Sequence, residues 1–255
     1  MSGLVKLEVE PPVALVSLNR PERHNSLIPE LVEGLTDTMQ ALAQRNDVRA
    51  VVLRGEGRSF STGGDLQGFL QHWDDDISGY ADRVVGGLNR AILAIKDCPL
   101  PVVAAVHGWV TGGSLGLMLA ADMVVIDDTA RLAPFYCEVG FAPDGGWSAL
   151  LPGRIGEGRA LAAQMTNEIW DAEALMTLGL AQWRVGRGEV DDAARRHAQT
   201  VAGKAASTLG ATKANRSQLG GWAEALDVER RRFVETIVQP GVREGVEAFV
   251  AGAVG

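Results

Sequence analysis

The chain has 255 residues, enough to bury a sizeable core as one large domain or two small ones. Its apolar share of 46% and charged share of 22% are those of an ordinary globular protein, which sets aside disordered and fibrous classes. A net charge of −8 argues against a nucleic-acid partner, which would want a basic face, yet leaves room for an anionic small molecule at a local basic cluster.

Val5, Leu7 and Val9 alternate with polar residues, the period of a half-buried strand; Pro11-Pro12 turns the chain, and Val13 to Leu18 reads as the second strand of a hairpin. Asn19 to Ser26 is a polar loop holding Arg20 and Arg23, either a solvated surface or a phosphate-binding one. Pro29 opens a helix with Leu31, Leu35, Met39 and Leu42 on one face, and Ala50 to Leu53 is a short buried strand. A first glycine loop, Arg58 to Leu66, follows; Asp65 is placed to cap the helix beginning at Leu66. Residues 71–79 read as a loop, and a helix is predicted from Tyr80 to Lys96, ended by Pro99 and Pro101.

The apolar run Val102 to Val106 leads to a second glycine loop with Gly108, Gly112 and Gly113, then a buried helix through Leu115 to Leu119. Met123 to Ile126 is another short strand, and Pro143-Asp144-Gly145-Gly146 a turn before a predicted helical segment at Trp147 to Leu151. Beyond Gly156 the composition shifts to alanine, arginine and glutamate. Helices are expected near 157–165, 171–179, 189–205, 208–217, 221–237 and 241–252, with one strand candidate at Trp183 to Val185. The sequence strand–glycine loop–helix occurs twice, about 50 residues apart, which suggests successive turns of one spiral.

Cys98 and Cys137 are too few for a disulfide framework and belong to no C-x-x-C pair, as expected of a reduced, cytoplasmic protein. Lys6, Glu8 and Glu10 interrupt any signal-peptide core, no run approaches the roughly 18 apolar residues of a membrane span, and the four histidines lack metal-ligand spacing. No metal and no membrane are therefore expected.

Three chemistries compete at the second glycine loop. Gly108 to Ser114 nearly fits a phosphate loop, but Ser114 stands where the lysine should be, so that reading fails. Gly112 to Gly116 is a literal G-x-S-x-G, which would make Ser114 a nucleophile with Asp171 and His197 as partners. The third makes glycine N–H groups at the ends of two buried strands an oxyanion hole, which needs no side chain at either position.

Taken together, Asn19-Arg20-Pro21 with Asn25, the run Phe60 to Leu66, the run Pro101 to Gly108, Gly112-Gly113 and Asp122 resemble the crotonase (enoyl-CoA hydratase/isomerase) superfamily, over most of residues 4–252. The resemblance implies an α/β fold, a crotonase-like spiral of ββα turns over 1–195 with a C-terminal helical trimerisation or lid region over 196–255. It implies acyl-CoA thioester substrates, no cofactor beyond the coenzyme A carried by the substrate, and a homotrimer or dimer of trimers. It places the oxyanion donors at Gly64 and Gly113. Coenzyme A contacts are expected from Arg20, Arg23, Ser26, Thr62, Asp65, Leu66 and Phe249, while His72, Trp73, Tyr136 and Glu138 could line the acyl pocket. Hydratases of the family use two glutamates; their positions here hold Gly116 and Tyr136. Asp144 instead stands where isomerase-like members carry a proton-shuttling acid. The expected activity is double-bond isomerisation through a thioester enolate. Hydration, thioester hydrolysis or dehalogenation through Asp144, or a catalytically inactive acyl-CoA binder, are the alternatives.

Overall fold

The computed structural model describes residues 3–217 and 221–252, so the ends of the two regions expected from sequence, at 1–2 and 253–255, and residues 218–220 lie outside it. β1 (Val5–Glu10) and β2 (Val13–Leu18) form the expected antiparallel hairpin, with Val5 opposite Leu18 and Glu10 opposite Val13. α1 (Pro29–Ala43) then leads to β3 (Ala50–Gly55), and α2 (Leu66–Gln71) and α3 (Ile77–Asp97) lead to β4 (Val102–Val106). The middle of the chain comprises β5 (Trp109–Thr111), α4 (Leu115–Ala120), β6 (Met123–Asp127), β7 (Arg131–Ala133), α5 (Tyr136–Val139) and α6 (Pro152–Ile155). After it come α7 (Glu157–Thr166), β8 (Trp170–Asp171), α8 (Ala172–Thr177) and β9 (Trp183–Val185). Four helices close the chain: α9 (Val190–Ala202), α10 (Ala206–Ser217), α11 (Trp222–Ile237) and α12 (Val242–Gly252).

One six-stranded sheet runs β1-β2-β3-β4-β6-β9, parallel everywhere except the opening hairpin. Its central strands are unbroken apolar runs because both faces are covered. Ala14, Val16, Leu18, Val51, Leu53, Ala104 and Val106 pack with the apolar stripes of α1 and α3. Val13, Leu15, Val52, Val103 and Ala105 point the other way, onto Ala193, Ala194 and Ala198 of α9. That helix runs without a break through residue 195, with its small alanines against the sheet.

A second, three-stranded sheet orders β5-β7-β8 and was not legible in the sequence, since its strands have only two or three residues. Isolated parallel bridges, Leu27 to Gly64 and Ser61 to Val110, link the loops of earlier turns in the same stacked manner. Each turn of the spiral thus contributes a strand to the large sheet and a short extended piece beside it. This stacking is what brings the two glycine loops side by side.

Two local expectations need correction. α3 begins at Ile77 rather than Tyr80, because the Asp76 side chain accepts from the Gly79 amide at 3.1 Å and caps the helix earlier. Trp147 to Leu151 is a series of turns, not a helix: Gly145 and Gly146 both have positive φ (59° and 95°), and helix resumes only at Pro152. Among the described residues, no helix is long and apolar enough to cross a membrane.

Candidate active site

Gly63 and Gly112 meet where the two glycine loops touch. Gly63 has φ +72°, and a Cβ there would lie 2.6 Å from the Thr111 carbonyl oxygen, so only glycine permits the contact. In the Leu27–Gly64 bridge, Leu27 bonds to the carbonyl of Gly63 and the amide of Asp65, at 2.7 and 3.0 Å. A parallel bridge uses the groups flanking the bridged residue, so the N–H of Gly64 itself points away from Leu27. Gly113 is the middle residue of a 3₁₀ turn, Gly112–Ser114, where amides precede the first intrahelical bond and lack a helical acceptor. Both glycines line one chamber.

Ser114 is fully buried and ties the loops together. Its hydroxyl sits 2.9 Å from the Ser61 carbonyl and 2.7 Å from that of Thr111, and it accepts from the Thr111 amide at 3.1 Å. His197 stacks on Trp183 at 3.8 Å between ring centroids, and Asp171 caps α8 through the Ala174 amide. Neither approaches Ser114, so the serine-hydrolase constellation does not exist.

Asp144 enters the chamber from the turn after α5. A methyl group on Gly113 would lie 3.0 and 3.2 Å from its two carboxylate oxygens, which puts the carboxylate directly beside the glycine loop. It is 6% exposed, and the Tyr136 hydroxyl donates to Oδ1 at 2.6 Å and to the Asp144 carbonyl at 3.0 Å. Burial pushes the Asp144 carboxyl up to about 6; the hydrogen bond from Tyr136 opposes that rise only in part. Burial, and then the neighbouring Asp144 charge, hold the Tyr136 phenol well above its ordinary value, so it stays a donor.

The chamber encloses about 570 Å³ of space and opens outward. Leu88, Val84, Val85, Phe69, Phe141 and Phe233 form its apolar wall. The three phenylalanines contact one another at ring-centroid distances of 4.9 to 5.9 Å. An outer groove, lined by Arg23, His24, Ser26, Asp65, Gln67 and Trp109, shares Thr62, Gly64, Leu66, Thr111, Phe135 and Phe249 with the chamber. A narrow apolar cavity with one carboxylate and two backbone donors thus lies behind a wide polar groove.

The sequence matches the model of the family described as enoyl-CoA hydratase/isomerase over residues 8–252. The chain belongs to that family. It is similar to a Rhodobacter capsulatus protein named "Probable enoyl-CoA hydratase", 31% identical over 258 residues and spanning 96% of this chain and 94% of that one. The solved enoyl-CoA hydratase from Bacillus halodurans superposes with a TM-score of 0.87 at 25% identity, covering 96% and 99% of the two chains. An enoyl-CoA hydratase/isomerase from Mycobacterium paratuberculosis gives 0.88 at 26% identity, covering 97% and 99%. These likenesses agree with the crotonase fold described above.

Against that family background, the two missing glutamates have structural counterparts. A Cβ on Gly116 would collide with Ile92 Cδ1 and the Gly145 carbonyl oxygen, so the first glutamate position is closed by packing as well as by sequence. At the second, the Tyr136 side chain fills the space and binds Asp144.

Several expected site residues are engaged differently. Arg20 and Arg23 both pair with Asp65, at 2.7 and 3.0 Å, and Arg20 also donates to the Ser26 hydroxyl at 2.7 Å. Burial raises the Asp65 carboxyl, but the two guanidiniums outweigh it and hold it below its usual range. Asp65 also caps α2 through the Gln67 amide. Arg20 is therefore a brace of the groove wall, whereas Arg23 is 41% exposed and still faces the groove. His72 is not among the chamber-lining residues: it bonds the Gly68 carbonyl at 2.8 Å and stacks on Tyr80. Trp73 packs behind the phenylalanine cluster, and Glu138 is exposed on the outer side of α5. Thr62, Leu66 and Phe249 line both cavities, and Phe249 packs on Phe135 at 5.3 Å.

Glu229 was missed in the sequence because it sits in Val-Glu-Arg-Arg-Arg, which reads as a solvated charge run. Its spacing was the available signal. Leu226, Glu229, Phe233 and Ile237 fall on one helical face, and that face is buried.

Proposed function

We propose that the protein is an acyl-CoA enzyme that shifts a carbon–carbon double bond through a thioester enolate, with Asp144 as the single proton carrier. The observation that carries this reading is the buried Asp144 carboxylate beside Gly113, in a chamber where both hydratase glutamate positions are occupied by other groups. The coenzyme A part would lie in the outer groove, against Thr62, Leu66, Phe249 and the outward face of Arg23, and the acyl chain would enter the apolar chamber. Coenzyme A would arrive with the substrate, and no separate cofactor is required by the chemistry.

The steps follow from the groups present. The N–H groups of Gly64 and Gly113 bind the thioester oxygen and favour the charge that develops there. The Asp144 carboxylate removes a proton from the α-carbon of a 3-enoyl thioester, giving a dienolate and a neutral carboxylic acid. That acid returns the proton to the γ-carbon, the double bond settles between α and β, and the carboxylate is regenerated. With its carboxyl near 6, Asp144 is mostly ionised at neutral pH yet basic enough to accept a proton. Water addition would need a group to position and activate water, and neither family position supplies one here.

The names of the relatives favour hydration as the second reading, with Asp144 activating water alone. Supplying 3-enoyl-CoA and 2-enoyl-CoA separately decides between them. Conversion of the first to the second, with slow or no loss of the 2-enoyl chromophore, supports isomerisation; rapid hydration of 2-enoyl-CoA overturns it.

A further inference from the structure

Glu229 lies on α11 between Leu226 and Phe233 and is 5% exposed. Three backbone amides meet its charge. Oε2 accepts from Gly146 at 2.8 Å, and Oε1 accepts from Ser148 at 2.6 Å and from Ala149 at 2.8 Å. These amides belong to the turn that carries Asp144. The opposite side of the same turn is docked on the second glycine loop: Trp147 Nε1 donates to the Gly112 carbonyl at 2.8 Å, and Gly145, at φ +59°, packs so closely on Gly113 that a Cβ would strike its backbone. The turn is gripped between the loop it must face and a helix from the far end of the chain. α11 is itself fastened to α3, where Asn89 Nδ2 donates to the Leu226 carbonyl at 2.9 Å.

We propose that Glu229 is a positioning residue, which clamps the turn 144–149 so that the Asp144 carboxylate stays against the Gly113 amide. The inference rests on Asp144 being the proton carrier. Only a carboxylate serves all three amides, because both of its oxygens accept; a glutamine would turn a donor toward at least one N–H. The turn has glycines at 145 and 146, the residue type with the most backbone freedom to lose, so it needs an external anchor. Displacement of a reacting group by about 1 Å can cost on the order of a hundredfold in rate.

The charge has a second effect. The titratable groups that face Glu229 and Asp144 are each other and Tyr136. Burial first, opposed by the three amides, and then the Asp144 charge push the Glu229 carboxyl up to about 7. Repulsion between two carboxylates is mutual, so removing the Glu229 charge lets Asp144 ionise at lower pH.

The test compares wild type, Glu229→Gln, Glu229→Asp, Asn89→Ala and Asp144→Asn, with a 3-enoyl-CoA as substrate and a saturated acyl-CoA as the binding probe. Glu229→Gln should lower kcat by roughly tenfold to a hundredfold. Its acid limb should move to lower pH, and the Kd for the saturated thioester should change less than about threefold. Glu229→Asp keeps the charge but withdraws its reach, so kcat should fall with the acid limb unmoved; this comparison stands even if Glu229→Gln does not fold. Asn89→Ala loosens the seat of α11 without touching the carboxylate and should keep the wild-type kcat and pH profile. A wild-type kcat in the Glu229 variants overturns the proposal, as does Asn89→Ala reproducing their loss. Full activity in Asp144→Asn would instead overturn the assignment of Asp144, so the two failures are distinguishable.

Discussion

Asp144 carries the chemistry and also a stability cost, and both are visible in pH. Its carboxyl is higher in the folded chain (about 6) than in the unfolded one (3.8), so between those values the folded state binds more protons. Stability therefore falls as pH rises through that window, by up to roughly 3 kcal/mol, and the cost is fully present above pH 6. Asp144→Asn should abolish turnover, leave saturated acyl-CoA binding within a few-fold of wild type, and raise Tm at pH 8 but not at pH 4. Calorimetry at the two pH values checks this, and equal activity would sink the assignment. Tyr136→Phe tests the same pair from the other side. The phenol hydrogen bond favours the ionised carboxylate, so its loss should move the acid limb upward and cut activity at pH 6 by about tenfold for each pH unit of that shift. Asp144 stands in Pro-Asp-Gly-Gly, which by local pattern is only a turn; the resemblance, not the residue's own neighbourhood, singled it out. Glu138 illustrates the converse, since a carboxylate two positions off in register faces solvent on a four-residue helix.

At the scale of the element, the glycine loops were readable because each is a buried strand, a glycine break and a helix start. Their mutual approach was not readable, since it depends on single-residue bridges that leave no periodicity in the sequence. The same limit hid the β5-β7-β8 sheet. Gly116 marks how tightly the packing is set. Gly116→Glu, which restores a family hydratase carboxylate on paper, should not restore hydration, because its Cβ would displace Ile92 or the Gly145 carbonyl. Overpacking of this kind costs roughly 1–3 kcal/mol, so a lower Tm together with weakened isomerisation is expected. Asp65 joins two elements, capping α2 and holding both loop arginines. Asp65→Ala should cost roughly 1–3 kcal/mol and raise KM for the acyl-CoA more than it lowers kcat, which steady-state kinetics with urea unfolding would read out.

At the scale of the molecule, α11 and α12, far along the chain, complete a site whose reacting groups come from the spiral: Phe233 and Phe249 line the chamber and Glu229 holds the catalytic turn. Helix periodicity made these helices legible, but not which of their charged residues turn inward, because a buried carboxylate satisfied by backbone amides resembles a surface charge until its neighbours are known. We also propose that the protein assembles as a trimer or a dimer of trimers; sedimentation at three or six chain masses supports this, and a monomer contradicts it. The central claim is that one carboxylate moves one proton between two carbons. Its most direct test supplies a 3-enoyl-CoA fully deuterated at the α-carbon, in ordinary water, to wild type and Asp144→Asn. The account predicts a 2-enoyl product that carries part of the label at its γ-carbon with wild type, and no double-bond shift with the variant. An unchanged shift in Asp144→Asn, or a wild-type enzyme that hydrates 2-enoyl-CoA while leaving the 3-enoyl thioester untouched, would contradict it.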